Sequence, residues 1–498
     1  MNLEVILMDN IYVGADIGTS SVKTVIYDEN FKQLKKFSQK YNLISNRKNQ
    51  AELDPEEVYE AVLQTLKTAI QESRNNNYKI EFISFSSALH SLIFLDGNHE
   101  PLTNCLTWAD SRAKDICNKL KSFYQEKNIY SKTGCPLHSL YLSAKIYWFK
   151  DNQKEIFSQA DKFISIKEYI IYKLTGEFGV DYSIASGSGL LNIKNKEWDK
   201  ELLNYLGIDE AQLSPLVDSY NTYESKSIDW LKNIPLVIGG GDGPLANLGE
   251  LALSENQFVA TLGTSGAIRV FSDKPVIDDD NQSTWCYMLD NNTYLPGGAI
   301  NNGGIVLEWL KKNCFELTDN YYGLIDQYIK EVPPGSKSLF FLPFLTGERS
   351  PNWNPKARGI IFGLDYNHSK KEIIKAAVEG ISYRMRTIKE ALEANSNICN
   401  EVILNGGITQ SEPWVQLLAD VFNARVIVHE NEEAAALGAA IIGSVALGFY
   451  NDYNAIDFNH KRRLVKEPDQ KLVEKYNQLY SFHKELYDSN ESLFNKII

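Results

Sequence analysis

Two short stretches carry the residue types that handle phosphate. Asp16-Ile17-Gly18-Thr19-Ser20 and Thr261-Leu262-Gly263-Thr264-Ser265 each close an apolar run and place Gly-Thr-Ser at its tip. Glycine lets a backbone approach a ligand closely. Successive N–H groups in such a loop form an anion-binding concavity, and the Thr and Ser hydroxyls add donors. Lys23 lies in the apolar run beyond the first loop and brings a positive charge near it. Asp16 offers a carboxylate at a strand end, which can hold Mg2+ through water because that ion keeps much of its hydration shell. Thr19 and Thr264 stand 245 residues apart in a chain of 498. A loop echoed at half-length predicts two related α/β halves. Mirrored in this way, the loops would grip one polyphosphate from both sides.

Asp242 is the other candidate for chemistry. It follows Gly239-Gly240-Gly241 at the end of the apolar run Pro235–Ile238. A carboxylate there serves either as a general base or as the N-cap of a helix running from Pro244; the sequence leaves both open. Gly241-Asp242-Gly243-Pro244-Leu245-Ala246 also fits the G-x-G-x-x-A form of the dinucleotide fingerprint. A dinucleotide site expects an acidic residue about 20 positions on, at a strand end. The chain reaches Thr261 and the second Gly-Thr-Ser loop instead, and a Pro inside the fingerprint is awkward. No GxxxxGK[ST] occurs, so a P-loop kinase is not supported.

These residues need elements to hold them. Ile11–Ala15 and Val22–Tyr27 read as the strands of a hairpin around the first loop. Asp54-Pro55-Glu56-Glu57 is a helix start with Asp as N-cap and Pro at the first helical position. Val58, Val62, Leu66 and Ile70 continue that helix on one face. Lys79–Phe85 alternates as a strand ending at Ser86-Ser87-Ala88-Leu89-His90. Glu401–Leu404 is a strand leading into a third glycine loop, Asn405-Gly406-Gly407, and Trp414–Phe422 has helical spacing. Lys371–Leu392 is a long amphipathic helix with Ile374, Val378, Ile381, Met385 and Ile388 on its buried side. Ala434–Ala440 is a small-residue helix able to lie close against a sheet.

Composition narrows the partners. Lys plus Arg is 51 and Asp plus Glu is 64, a formal charge of −13. Nucleic-acid binding needs a basic face, so that class is excluded, whereas a small anionic substrate feels only its local pocket. The chain is long enough for two or more cores. Apolar runs such as Ala439–Ile442 are far short of the ~20 residues that span a bilayer. With Glu4 and Asp9 and no basic stretch, the N-terminus is not read as a secretory signal. Six cysteines without a CxxC pair read as reduced thiols of a cytoplasmic protein. Seven histidines without HExxH give no zinc site.

With these motifs in hand, the chain resembles the FGGY carbohydrate kinases of the actin-like ATPase superfamily, from about Val13 to Gly448. Asp16–Lys23 looks like the family's first phosphate loop, Thr261–Gly266 like the second and Asn405-Gly406-Gly407 like its adenosine loop. Gly359–Glu379 fits the C-terminal signature. Leu142, ahead of Lys145-Ile146-Tyr147-Trp148, departs from the family's other signature, which usually has Pro, Ser or Thr there. Several stretches look most like the gluconate-phosphorylating members. They are Phe85–Ser91, Thr107–Arg112, Thr133–His138, Ile166–Ile170 and Asp181–Ser186. The xylulose kinases, which also place a His at the position of His90, are the nearest alternative, with other pentulose and polyol kinases beyond them.

The resemblance implies two actin-like (ribonuclease H-like) domains with a nucleotide and sugar cleft between them. The expected division is an extension at 1–10, domains at 11–250 and 251–450, and a helical segment at 451–498. It implies ATP and Mg2+ as cofactors and Asp242 as the base that takes the proton of the attacking hydroxyl. Asp16 would hold the metal; Gly18, Thr19, Ser20 and Lys23 would serve one phosphate side and Gly263, Thr264 and Ser265 the other. Gly304, Glu308, Gly406, Gly407 and Ser411 would line the nucleotide cleft. Leu89, His90, Trp108 and Asp110 would face the sugar, with Arg112 a structural partner for a nearby carboxylate. For a gluconate carboxylate, Lys145, Lys167, Arg349 and backbone donors all stay open. No membrane or nucleic-acid partner is implied, and a homodimer is compatible with the sequence. An actin-like chaperone or filament protein would leave His90, Trp108 and Asp110 without a role.

Overall fold

The computed structural model describes residues 9–315, 321–430, 433–456, 461–494 and 496–497. Strands β1 (Asp9–Ile17), β2 (Ser21–Asp28) and β3 (Gln33–Lys40) make an antiparallel meander. β4 (Tyr78–Ser87) pairs parallel to β1, β5 (Thr222–Tyr223) is an edge, and β6 (Leu236–Gly241) pairs parallel to β4. The sheet order is β5-β6-β4-β1-β2-β3. β1 is buried almost throughout because both faces of its sheet are covered, as for strands with helices on each side. Helix α1 (Pro55–Asn75) covers one face. It starts where the sequence places it: the Asp54 side chain accepts the Glu56 N–H at 2.9 Å, and Val58, Val62, Leu66 and Ile70 are buried.

β6 runs directly into α2 (Asp242–Gly249). The chain then builds a second sheet. β7 (Gln257–Leu262), β8 (Gly266–Arg269), β9 (Trp285–Met288) and β10 (Tyr294–Ile300) are followed by β11 (Glu401–Asn405), β12 (Arg425–His429) and β13 (Arg462–Lys466). The order is β9-β10-β8-β7-β11-β12-β13. β7 and β8 form a hairpin, and β11 joins β7 in parallel, as β4 joins β1. The echo between the two Gly-Thr-Ser stretches is thus a repeated hairpin at the centre of two like-built sheets. Helices α3 (Ile305–Asn313), α4 (Tyr321–Glu331), α5 (Lys370–Glu393) and α6 (Glu412–Phe422) enclose the second core, with Ile374, Val378, Ile381, Met385 and Ile388 of α5 inside it.

Helix α7 (Ala434–Ala446) leaves the second lobe and packs on the first. It lies against β1, β4, β6 and α2 and shares one core with Tyr12, Phe82, Val237, Leu245 and Leu248. Its small residues allow backbone-to-backbone contact. A Cβ on Gly438 would stand 1.9 Å from the Leu245 carbonyl oxygen, and one on Gly14 would stand 2.0 Å from that of Ala436. No residue but glycine fits either place without displacing backbone.

The termini differ from the sequence-based division. Residues 1–8 lie outside the described residues, and Asp9 and Asn10 already belong to β1. The segment after residue 450 is more than helical: β13 extends the second sheet before α8 (Gln470–Phe494) packs Tyr476 and Tyr480 into the second core. Helices at Ile116–Glu126, Leu142–Asn152, Ile166–Thr175 and Tyr182–Gly187 are inserted between β4 and β6. A core of this insert includes Trp285, Tyr287 and Met288 of β9, so it joins the lobes beside the hairpin loops. Among the described residues, no helix is long and apolar enough to cross a membrane.

Candidate active site

The two hairpin loops are tied down by their own backbones. In the first, the Gly18 N–H donates to the Ser21 carbonyl at 3.0 Å, and the Tyr41 hydroxyl donates to the Gly18 carbonyl. In the second, the Gly263 N–H donates to the Ser265 carbonyl at 2.9 Å. Gly304 donates its N–H to the Gly263 carbonyl at 2.7 Å, which fixes the start of α3 against this loop. Gly406, at the end of β11, has φ +93°, and a Cβ there would lie 2.5 Å from the Leu262 carbonyl oxygen. Glycine is therefore required where the third loop meets the second, and Gly407 opens a short turn at Gly407–Gln410. Glu308 on α3 accepts the Tyr322 hydroxyl at 2.7 Å, and the Ser411 hydroxyl caps α6 and donates to Asp326 of α4. Of the residues expected to line a nucleotide cleft, Gly304 and Gly406 thus lie directly against the second hairpin, and Glu308 stands on, and Ser411 caps, the helices that follow these two glycine turns.

Asp16 and Asp242 come together from β1 and the start of α2. Burial and the neighbouring Asp242 carboxylate push Asp16 up to about 6, against a Ser86 hydroxyl that donates to it at 2.8 Å. Asp242 is raised by burial and held back chiefly by Arg269. It is not the N-cap. Gly241 takes that position, and the Asp242 carboxylate accepts the Gly243 N–H at 2.7 Å. It is therefore oriented by backbone and remains available as an acceptor. Neighbouring carboxylates repel unless a cation or a proton lies nearby; Arg269 serves Asp242, and a divalent ion at Asp16 would relieve the remainder. Among the described residues, no group of three or more His, Cys, Asp or Glu could hold a metal. An ion here would need phosphate and water for its remaining ligands, as Mg2+ commonly does.

The other sequence candidates fall into two groups. His90 has φ +63° and holds its Nδ1 2.6 Å from the Gly187 carbonyl oxygen. A carbonyl only accepts, so Nδ1 carries the proton and Nε2 is left as an acceptor. Burial and nearby Lys145 push the ring pKa down to about 3 and keep it neutral. His90 meets Tyr141 of its own lobe and Tyr287 of the second edge-on, at 5.4 and 5.6 Å. Trp108 donates its Nε1–H to the Thr19 hydroxyl at 3.1 Å, and Arg349 lies 6.0 Å from its ring centre.

Other residues are engaged elsewhere. Asp110 is 2 % exposed, and its oxygens take the Ala51 N–H at 3.0 Å and Arg112, whose guanidinium also pairs with Glu52. Lys23 pairs with Glu433, just before α7, at 2.8 Å. Lys145 is buried and donates to the His90 and Thr107 carbonyls at 2.6 and 2.8 Å. Lys167 pairs with Asp181 at 2.7 Å, both 1 % exposed.

Comparison with known proteins fits this geometry. Residues 11–249 match the model of the FGGY family of carbohydrate kinases, N-terminal domain, and residues 258–447 match its C-terminal domain. The chain belongs to the FGGY family of carbohydrate kinases. It is similar to the gluconokinase of Bacillus subtilis (strain 168), 39% identical over 464 residues that cover 90% of each chain. The crystal structure of gluconate kinase from Lactobacillus acidophilus matches at TM-score 0.93 and 35% identity, over 98% of this chain and 99% of that one. A ligand-bound xylulose kinase from the same organism matches with the same values. As an FGGY kinase the protein is a phosphotransferase with an alcohol acceptor, and the family implies ATP as donor.

Arg269, the counter-charge of Asp242, and Tyr287, whose ring meets that of His90, are two neighbours of the candidate residues that the sequence does not single out. Arg269 carried one signal: it is a charge closing the otherwise apolar strand Gly266-Ala267-Ile268. Tyr287 sits inside a wholly buried strand and looks like any core aromatic.

Proposed function

We propose that this FGGY kinase is a cytoplasmic gluconokinase. It moves the terminal phosphoryl group of ATP to a terminal hydroxyl of D-gluconate and yields 6-phospho-D-gluconate. The observation that carries this is the approach of Asp242 to Asp16 of the first hairpin and Arg269 of the second; likeness to proteins named gluconokinase supports the substrate.

Asp242 accepts the proton of the attacking hydroxyl. The Gly243 N–H holds its carboxylate, and burial lifts its pKa above the ordinary value, which makes it a better base. Gly18, Thr19 and Ser20 grip the phosphates from the first lobe, and Gly263, Thr264 and Ser265 from the second. Phosphoryl transfer spreads charge over the moving group, so most of the catalysis is positioning and electrostatic stabilisation by such loops. Gly304, Glu308, Gly406, Gly407 and Ser411 line the nucleotide. Asp16 would hold Mg2+, which would supply neutralising charge to the phosphates. Lys23 acts on the phosphates at longer range, because its ammonium is anchored by Glu433. His90 Nε2 accepts a sugar hydroxyl, and Leu89 closes the wall beside Asp242. Trp108 covers the sugar while tied to Thr19; Asp110, Arg112 and Lys145 hold its loop in place.

A coupled ADP-release assay across gluconate, xylulose, glycerol, ribulose and no sugar tests the assignment. Gluconate-dependent turnover is expected. Turnover with xylulose alone would make the protein a xylulose kinase, and sugar-independent turnover would overturn the kinase mechanism.

A further inference from the structure

A sugar acid brings a carboxylate into a buried site, and that charge needs donors. Lys145 and Lys167 are spent on internal partners, and Arg112 is held by Asp110 and Glu52. Arg269 faces Asp242 as its counter-charge. Arg349 is different. One of its terminal nitrogens donates to the Ile300 carbonyl at 3.1 Å, but its Nε is buried without a partner. Among the described residues it makes no ion pair. The adjacent carboxylate, Glu348, is turned away: it accepts the Arg384 Nε–H at 3.2 Å and the backbone N–H of Arg349 at 3.1 Å. Arg384, 2 % exposed and also bonded to Asn352 at 2.8 Å, locks this loop from behind. A buried guanidinium donor without an acceptor is costly, and Arg349 also stands beside Trp108, His90 and His138, so its position suits a ligand.

His138 supplies the complement. Its Nδ1 accepts the Leu140 N–H at 3.2 Å, so in the neutral ring the proton sits on Nε2. Burial and nearby Arg349 hold the ring neutral, with a pKa pushed down to about 3. His138 and His90 thus have opposite tautomers: the first offers a donor and the second an acceptor.

We propose that the Arg349 guanidinium and the His138 Nε2–H receive the substrate's carboxylate and make this site select a sugar acid over a neutral sugar. The assignment rests on the gluconate reading. Asp242 and His90 then form an acceptor set for hydroxyls, and Arg349 and His138 a donor set for the acid. A neutral substrate leaves a desolvated cation unmatched, and that mismatch is the source of selectivity.

The test compares kcat/KM for gluconate with that for its neutral isostere gluconamide. Wild type should favour gluconate by about 10²–10³-fold. In Arg349→Gln the ratio should fall about 100-fold, mainly through KM for gluconate; Arg349→Lys should keep part of it, and His138→Leu should lower it about tenfold. A merely structural role would lower both substrates together and leave the ratio alone. An Arg349→Gln protein that binds Mg·ADP normally and keeps the wild-type ratio overturns the proposal while leaving the gluconate reading intact. If the variants do not fold, the wild-type ratio decides: a value near one overturns the proposal. Wild type that turns over xylulose and not gluconate overturns both.

Discussion

Asp16→Asn should give a protein that is more stable and far less active. Burial and the Asp242 carboxylate raise the Asp16 pKa from 3.8 to about 6. A carboxyl whose folded pKa exceeds its unfolded value binds protons more tightly when folded. The cost to folding is absent below pH 3.8, grows between 3.8 and about 6, and is constant above that. The difference of 2.2 units, at roughly 1.4 kcal/mol each, is worth at most about 3 kcal/mol at pH 7.5 and about half that at pH 5. Asparagine removes this cost and keeps an oxygen for the Ser86 hydroxyl, which sits 2.8 Å from Asp16. Scanning calorimetry in EDTA at both pH values should show a rise in Tm of about 3–6 °C at pH 7.5, shrinking by half at pH 5. Activity should fall, because the same residue is proposed to hold the metal. A stabilisation equal at both pH values, or a loss of stability, would refute the argument that burial and Asp242 raise the Asp16 pKa.

Asp242→Asn should lower kcat by roughly 10²–10⁴-fold with little change in KM for ATP. Added Mg2+ should not restore it, whereas Asp16→Asn should half-saturate at higher free Mg2+; equal metal dependence of the two rates would mean the roles are misassigned. Gly438→Ala forces a Cβ to within 1.9 Å of the Leu245 carbonyl. It should cost about 1–3 kcal/mol and reduce kcat by displacing the helix that carries Asp242; a wild-type melting curve would contradict the contact. Lys145→Met strands the His90 and Thr107 carbonyls and should raise KM for the sugar about tenfold or more while KM for ATP stays put, as initial rates at varied sugar and varied ATP would show.

The features legible in the sequence were those set by neighbours along the chain. The hairpin loops follow from Gly-Thr-Ser after an apolar strand, and α1 follows from Asp54-Pro55 and a 3.6-residue period. Asp242 shows where local signals stop. Pro244 suggested a helix start two residues on, yet β6 passes into α2 with Gly241 as the cap. Lys23 was placed near phosphate from proximity alone, and its partner Glu433 arrives from 410 positions away. Asp110 was one of four residues expected at the sugar; its oxygens are taken by Ala51 and Arg112. Arg349 stayed one of several cations until the others acquired partners. That choice depends on which carbonyls and carboxylates the fold brings to each, and no spacing records it.

The crossing of α7 onto the first sheet has a consequence for how the protein is made. During synthesis β1, β4, β6 and α2 are complete by Gly249, but the helix that covers their apolar face begins at Ala434. All of residues 250–433 must be translated before that face can be sealed. The nascent first lobe therefore waits with Tyr12, Phe82 and Val237 uncovered, a state that invites a chaperone. A chain broken off between the second hairpin and α7 has both phosphate hairpins yet lacks the helix that packs on α2, which carries Asp242. Every chain that ends before Ala434 thus lacks the surface against which α2 is packed.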